Sequence, residues 1–296
     1  MSQGKKFGAF GGVFTPSILT ILGVIMYMRL GMVVGNAGTL FTTIAIILLA
    51  HIVSVTTGLS VSSVATDKKI KAGGIYYMLS RSLGLPIGGA IGITLFVATA
   101  LSISLYLIGF AESMLPVIQN IFGIQEVTIN HFRIVGSIAL MVVLFVAYVS
   151  TSFAIKIQYV ILVLIGLSLI SIFTGSSDGL KKGTDLVTNP NFAVLFGIFF
   201  PAVTGFTAGV AMSGDLKNPS KSIPWGTMLA IVTGLVVYLA LAFFLNASID
   251  KDILTTNNNV LIEFGSIAFL VIAGVWGATL SSALGGILGG PRILQA

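Results

Sequence analysis

Eight apolar stretches, each near the length that crosses a lipid bilayer, constrain the fold of this chain more than any other feature of its sequence. A bilayer crossing needs about 20 predominantly apolar residues. The stretches, numbered here as spans one to eight, lie at residues 13–34, 40–62, 87–114, 134–149, 155–173, 192–213, 228–245 and 264–288. Because a backbone in lipid must satisfy its own hydrogen bonds, we expect every span to be helical.

The low charge content indicates that lipid, rather than water, is the main solvent of the folded chain. Only 8% of the 296 residues are Asp, Glu, Lys or Arg, and 56% are hydrophobic, whereas a soluble domain carries about 25% charged residues. The chain has no cysteine and only two histidines, His51 and His131. This excludes disulfides and cysteine nucleophiles and leaves no set of zinc ligands. We therefore predict one all-α polytopic membrane domain over residues 1–296, without a soluble domain.

The net charge of +6 reports topology rather than a nucleic-acid partner, because the positive residues lie in short segments between the spans. With the N-terminus inside the cell, inner segments carry ten Lys and Arg residues and outer segments five. The inner residues are Lys5, Lys6, Lys68, Lys69, Lys71, Arg81, Lys156, Lys217, Lys221 and Arg292, and the outer residues are Arg29, Arg133, Lys181, Lys182 and Lys251. The positive-inside rule therefore predicts a cytoplasmic N-terminus.

The inner segment between spans two and three, residues 68–84, is basic and rich in glycine. Its apolar residues Ile75, Tyr76, Met78 and Leu79 predict a short helix. Three placements stay open for this helix: against the membrane, as a plug in a vestibule, or simply on the protein surface.

Spans one and six differ from the others because each contains a proline that is followed by a glycine with threonine nearby. Pro16 precedes Gly23 in span one, and Pro201 precedes Gly205 in span six. Proline removes a helical hydrogen bond and glycine accepts unusual backbone conformations, so both spans are predicted to break in mid-membrane. A broken helix offers carbonyls to cations and amides to anions. Two breaks in corresponding positions are typical of transporters built from two inverted five-helix repeats, and two unrelated proline kinks are the simpler alternative.

Seven short segments, taken in order, carry a resemblance to a known family. They read LGVIMYMRL at 22–30, TGLS at 57–60, GGIYYMLSRSLG at 73–84, YLIGFAE at 106–112, FFPAVTG at 199–205, SGDLKNP at 213–219 and ATLSSAL at 278–284. This set resembles the cation–chloride cotransporter family of the amino acid–polyamine–organocation superfamily. The resemblance implies a five-plus-five, LeuT-like transporter fold with discontinuous helices 1 and 6. Spans one to five would form the first repeat, and spans six to eight part of the second.

The resemblance also implies three kinds of ion site. Potassium would be held by the carbonyls of Thr20, Ile21 and Pro201, the hydroxyl of Thr204 and the phenol of Tyr106. Chloride would sit on the amides of Gly23, Val24 and Ile25, and a second chloride on those of Gly205, Phe206 and Thr207. Sodium would be held by the carbonyls of Leu19, Leu22 and Ala278 and the hydroxyls of Ser281 and Ser282. The family often has asparagine where this chain has Thr20, a change that keeps the carbonyl.

Several of these residues also have simpler explanations. Ser281 and Ser282 alone would more often form hydrogen bonds between helices, and Tyr106 alone would more often anchor a helix at the membrane interface. The Gly-x-x-x-Gly patterns at 88–92 and 285–289 predict close helix packing. No role is assigned to His51.

The family has twelve spans, of which ten form the transport core, so the resemblance implies that spans nine and ten are missing here. They include a tyrosine that helps to hold the second chloride. The family's large cytoplasmic C-terminal domain has no counterpart either. We therefore expect this sequence to be part of a longer protein and not to transport alone.

These observations predict sodium-coupled symport of potassium and chloride by alternating access, with the three ions as transported ligands and no cofactor. Two alternatives stay open: a sodium-coupled amino acid permease of the same superfamily, and a non-transporting fragment or structural membrane subunit. The sequence contains neither a channel filter nor the acid–base set of an enzyme. The expected partners are the lipid bilayer and small inorganic ions, without nucleic acid. The resemblance adds a plasma-membrane location and a homodimer of the full-length protein.

Overall fold

The structure, a computed structural model, describes residues 6–67, 74–123, 126–149, 151–178, 180 and 190–295. Six of the residues used in the topology prediction lie outside this part of the chain: Lys5, Lys68, Lys69, Lys71, Lys181 and Lys182. The described residues are helical apart from turns, loops and one isolated β-bridge between Phe7 and Leu216. Eight helical segments among them are long and apolar enough to cross a membrane, which confirms the predicted all-α polytopic fold.

Spans one and six are broken, as predicted. Span one consists of a π-helical turn (Phe10–Phe14), α1 (Thr15–Ile21), α2 (Val24–Met28) and α3 (Leu30–Asn36). Span six consists of α9 (Phe192–Phe199), a 3-10 turn (Phe200–Val203) and α10 (Thr207–Ala211). Pro16 and Pro201 each lie in the first turn of a short helical segment, a position where the missing N–H of proline is best tolerated.

The other six spans are continuous helices. They are α4 (Leu40–Asp67), α6 (Leu85–Phe122), α7 (Ile129–Val149), α8 (Thr151–Phe173), α11 (Pro219–Ser248) and α14 (Ala268–Gln295). Three short helices connect spans: α5 (Gly74–Leu83), α12 (Lys251–Thr256) and α13 (Val260–Phe264). Several helices are longer than the apolar stretches that predicted them, because hydropathy detects the part of a helix in lipid and not the turns beyond it.

Span one lies in the centre of the bundle. α1 packs against α8, α11 and α14, while α14 pairs with α6 and α8, and α11 pairs with α4. Ile18, Met26 and Tyr27 of span one are almost completely buried. Leu101 and Phe145 on the outer helices are instead largely exposed, as expected for side chains that face lipid. The broken backbone of span one is therefore surrounded by protein.

Candidate ion-binding site at two broken helices

The break in span one leaves three consecutive backbone amides free. α1 ends at Ile21, Leu22 leaves the helical conformation, and α2 begins at Val24. Within the described residues, the amides of Gly23, Val24 and Ile25 donate no hydrogen bond. A Cβ on Gly23 would lie 2.8 Å from the carbonyl oxygen of Thr20, so this turn requires glycine. The three residues predicted to hold the first chloride therefore present unpaired N–H groups.

The break in span six is longer. After the 3-10 turn, residues 204–206 lead into α10, and the amides of Gly205 and Phe206 have no acceptor in the part of the chain that the structure describes. The Thr207 amide is 3.5 Å from the carbonyl of Thr204, at the limit of a hydrogen bond. Of the residues predicted to hold the second chloride, two present free amides and the third is weakly engaged.

The two breaks lie against each other. A Cβ on Gly205 would be 2.8 Å from the carbonyl carbon of Thr20 and from the backbone nitrogen of Ile21. The hydroxyl of Ser17 in α1 donates to the carbonyl of Phe206 at 2.9 Å and accepts from the amide of Gly209 at 3.3 Å. Glycine in span six and serine in span one thus let two irregular backbone segments meet.

A cavity of about 360 Å³ extends from this meeting point. Six residues predicted to bind ions line it, drawn from α1, α6, α10, α14 and the break of span six: Thr20, Tyr106, Thr204, Gly205, Thr207 and Ser282. Gly285 and Gly289 line it too, and a Cβ on Gly285 would meet nothing within 4 Å. The prediction of close helix packing is therefore wrong for Gly285, whereas a Cβ on Gly289 would contact the Cβ of Ala211 in α10 at 3.4 Å. For Gly88 and Gly92 the prediction is confirmed, since a Cβ on either would approach α5 to 2.6 Å.

The short helix predicted in the inner segment is α5, and it lines one part of the cavity. Ile75 and Tyr76 of α5 line the cavity beside Ile293 near the end of α14. Gly74, with φ +54°, begins α5 against the backbone of Ala211 in α10. Of the three placements that the sequence left open, the structure favours the helix in a vestibule.

The other predicted ligands lie behind the cavity lining or beside it. Nine of them are buried: Leu19, Ile21, Leu22, Gly23, Val24, Ile25, Phe206, Ala278 and Ser281. Pro201 is exposed but is not part of the lining. Its carbonyl accepts hydrogen bonds from the hydroxyl of Thr204 at 2.8 Å and from the Thr204 amide at 3.3 Å. Two predicted potassium ligands are therefore bonded to each other.

Ser281 and Ser282 are two adjacent buried hydroxyl groups on α14. Each side chain is 3% exposed, and neither hydroxyl oxygen has a hydrogen-bond partner within the described residues. A buried polar group without a partner costs about 1–3 kcal/mol. Helix α14 packs directly on α1, and Ser282 shares the cavity lining with Thr20. The pair is therefore available to a ligand beside the broken end of α1.

Side-chain hydroxyls from other spans donate hydrogen bonds to carbonyls at both breaks. The sequence patterns did not predict these two side chains as part of the site. The Ser54 hydroxyl of α4 donates to the carbonyl of Val203 at 2.7 Å. The Tyr238 hydroxyl of α11 donates to the carbonyl of Ile21, a predicted potassium ligand, at 2.6 Å. One available signal was the position of Tyr238 in the middle of span seven, far from the interfaces where tyrosine usually anchors a helix.

Two ion pairs lie close to the two broken spans. Arg29, just after α2, forms a two-point ion pair with Glu112 of α6, at 2.9 and 2.7 Å, and Asn258 donates to the same carboxylate at 3.3 Å. Arg292 of α14 pairs with Asp215, which follows α10, at 2.8 Å. No cluster of three or more His, Cys, Asp or Glu that could hold a metal occurs in the described ranges. The candidate cation ligands around the cavity are therefore backbone carbonyl oxygens and side-chain hydroxyl oxygens.

Two broken helices that meet beside a cavity, among eight candidate membrane spans, are typical of transporters of the inverted-repeat class. Residues 12–296 match the family model for amino acid permeases, and the chain therefore belongs to the amino acid permease family.

Similar proteins include named ion cotransporters. The chain is 32% identical to mouse solute carrier family 12 member 2, with 98% of this chain and 29% of that protein aligned. It is 32% identical to human solute carrier family 12 member 1, over 98% of this chain and 32% of that protein. A bumetanide-sensitive sodium-(potassium)-chloride cotransporter from Manduca sexta is 31% identical over 99% of this chain and 33% of its own length. These relatives confirm the resemblance predicted from the seven segments, and the chain spans about a third of their length.

Proposed function

We propose that this chain is the ion-translocating part of a secondary transporter that couples sodium, potassium and chloride in one symport. The observation that carries the proposal is the pair of buried, unpartnered hydroxyls of Ser281 and Ser282 beside the broken end of α1. Sodium is a hard cation that prefers oxygen ligands. The two hydroxyl oxygens have no hydrogen-bond partner within the described residues, so a bound cation would stabilise them more than oxygens that are already paired. The carbonyls of Leu19, Leu22 and Ala278 complete this sodium site in the proposal.

Potassium and chloride occupy the space where the two breaks meet. Potassium takes the carbonyls of Thr20, Ile21 and Pro201 with the hydroxyls of Tyr106 and Thr204. The chlorides take the two runs of amides that begin at Gly23 and Gly205, of which five are free within the described residues. Because these ligands are neutral, bound anions compensate the bound cations, and no uncompensated charge is left in a low-dielectric site.

The asymmetry between the two ends of the bundle supports the proposal of alternating access. The cavity reaches from the breaks to α5 and to the end of α14, whereas Arg29 and Glu112 form their two-point ion pair beyond the opposite side of the breaks. By the positive-inside rule the cavity side is cytoplasmic, so the conformation faces inward. The proposal includes a cytoplasmic N-terminus, a plasma-membrane location, one transport domain over residues 1–296 and a homodimer of the full-length protein.

A sodium-coupled amino acid permease is the second candidate, and the size of the cavity favours it. A volume of about 360 Å³ lies in the range of pockets for small organic ligands. The free amides at the break of span one could hold a substrate carboxylate as well as chloride.

Uptake into proteoliposomes distinguishes the two candidates. The test uses the full-length protein that contains this chain, with rubidium as potassium tracer and with labelled amino acids in parallel. Symport predicts rubidium uptake that requires both sodium and chloride, with no uptake of amino acids. Rubidium uptake that ignores chloride contradicts the cotransport proposal. Sodium-driven amino acid uptake selects the permease, and absence of all uptake selects a structural subunit.

A further inference from the structure

Tyr238 of span seven contacts both broken spans, one through its hydroxyl and the other through its aromatic ring. It is fully buried near the middle of α11, where an unpartnered phenol would be costly. Its hydroxyl donates to the carbonyl of Ile21, the last residue of α1, at 2.6 Å. Its ring meets the ring of Phe199, the last residue of α9, edge-on at 5.1 Å. A single residue therefore connects the ends of the two half-helices that precede the breaks.

The position of Ile21 is also fixed by its side chain. Gly234, one turn before Tyr238 on α11, faces this side chain, and a Cβ on Gly234 would lie 2.6 Å from Cγ2 of Ile21. The ring of His51 packs edge-on against the ring of Tyr238, at 6.2 Å between centroids. His51 is itself bonded to the carbonyl of Ile47 at 2.8 Å. The contacts therefore hold Tyr238 in one orientation and hold Ile21 against α11.

A carbonyl oxygen has two lone pairs, so the Ile21 carbonyl can accept the tyrosine hydrogen bond and still bind a cation. Carbonyls in the last turn of a helix have no partner inside that helix and would otherwise be free to turn. We propose that Tyr238 is a positioning residue for potassium: its hydroxyl occupies one lone pair of Ile21 and directs the other into the ion site. This inference rests on the proposed function, in which Ile21 supplies a potassium ligand.

Replacement of Tyr238 by phenylalanine tests the inference, with Tyr27→Phe as a matched control. Tyr27 is equally buried, and its hydroxyl is bonded to Ser168 at 2.5 Å rather than to a carbonyl at a break. Both variants lose one buried hydroxyl of the same kind. A purely structural role therefore predicts equal effects on stability and on transport.

The measurement is rubidium uptake by the full-length protein against potassium concentration, and separately against sodium concentration. Tyr238→Phe should raise the half-saturating potassium concentration about fivefold, the effect of one ordinary hydrogen bond. The half-saturating sodium concentration should change less than twofold, because the proposed sodium ligands do not include Ile21. Tyr27→Phe should change neither value by more than twofold. An unchanged potassium value in Tyr238→Phe, or equal shifts for potassium and sodium, overturns the inference.

Two further variants keep the test decisive if Tyr238→Phe does not fold. Gly234→Ala displaces Ile21 from its side-chain face and should also raise the half-saturating potassium concentration selectively. Its control is Gly166→Ala, where a Cβ meets nothing within 4 Å. Tyr106→Phe changes a residue that lines the cavity itself. If Tyr106→Phe weakens potassium dependence and the Tyr238 and Gly234 variants do not, the inference fails while the proposed function stands; a wild-type protein that lacks potassium-dependent uptake overturns both.

Discussion

The breaks in spans one and six both follow a proline and contain a glycine, but they differ in how deeply the surrounding protein buries them. In the most apolar 18 residues of span one 83% are buried, whereas the corresponding figure for span six is 44%. The break in span one is a single turn at Leu22 and Gly23. The break in span six runs from the 3-10 turn through Phe206, and Thr204 and Pro201 in it are exposed. Span one is thus enclosed by protein, and span six forms part of the cavity wall.

This difference suggests a division of roles between the breaks. Ile21 is held by α11 through both its carbonyl and its side chain. A smaller share of span six is buried, and segments with little burial are the ones that rearrange most easily. We therefore expect span one to act as the fixed frame of the ion site and span six to be the part that adjusts during transport.

The largest effect is expected where the breaks touch. Gly205→Ala places a Cβ 2.8 Å from backbone atoms of Thr20 and Ile21, which cannot move aside as a flexible side chain could. The two breaks must separate, so ligands shared between them no longer converge. We expect rubidium uptake to fall by at least about tenfold, since backbone overpacking costs about 1–3 kcal/mol.

Gly197→Ala is the control for this change. Gly197 lies in α9 of the same span, and a Cβ there meets nothing within 4 Å. Its uptake should remain within about twofold of wild type, because surface substitutions usually change stability by less than 0.5 kcal/mol. Equal loss of uptake in both variants would show that span six tolerates no added volume and that contact between the breaks is not the cause.

The next largest effect is expected at the serine pair of α14, which packs on span one. Joint Ser281→Ala and Ser282→Ala substitution should abolish sodium stimulation of rubidium uptake. Because the two hydroxyls have no protein partner within the described residues, their removal should leave the unfolding temperature in sodium-free buffer unchanged or slightly higher. Sodium should no longer raise that temperature, as it does for any protein that binds it in the folded state.

Ser104→Ala serves as the control, because this exposed hydroxyl bonds only to its own helix at the carbonyl of Ala100. It should retain the full sodium effect on uptake and on unfolding temperature. Undiminished sodium stimulation in the double alanine variant would remove the serine pair from the sodium site.

The sequence was sufficient to predict the eight spans and both breaks, because hydropathy, proline and glycine are local signals. It was less informative about helix ends. The apolar stretch of span three ends at residue 114, but α6 continues through Pro116 to Phe122. The helix of span seven begins at Pro219, nine residues before its apolar stretch at 228. Polar and amphipathic turns beyond the lipid carry no hydropathy signal, so these extensions were not predictable from it.

The contacts that shape the candidate site could not be predicted from local patterns. Tyr238 and Ile21 are 217 residues apart in the chain, and Ser54 and Val203 are 149 apart. These hydrogen bonds depend on how α11 and α4 pack around the breaks, which no motif records. The glycine pattern at 285–289 failed at Gly285 for the same reason: small residues that permit close helix packing equally permit a cavity, and only the neighbouring helices decide which forms.

The smallest expected effect compares two ion pairs, one made by Arg29 within span one and one made by Asp215 just after span six. Arg29 and Glu112 make two short contacts with side chains 29% and 17% exposed, whereas Arg292 and Asp215 make one, at 24% and 38%. The pair next to the enclosed span should hold its side of the bundle closed, and the pair next to the cavity should contribute less. Such partly exposed pairs are worth about 1 kcal/mol or less.

Glu112→Gln and Asp215→Asn, each combined with Thr204→Cys, measure this difference. The 296 residues contain no cysteine, so the new thiol in the cavity lining is the only one in this segment. For a thiol reagent applied from the outside, Glu112→Gln should raise the labelling rate about fivefold, because it weakens closure on that side. Asp215→Asn should change the rate less than twofold, because its pair lies at the end that is open in the proposed inward-facing conformation. Equal acceleration by both variants would mean that neither ion pair closes one particular side of the bundle. The ion pairs would then no longer support the contrast between an enclosed break in span one and an adjustable break in span six.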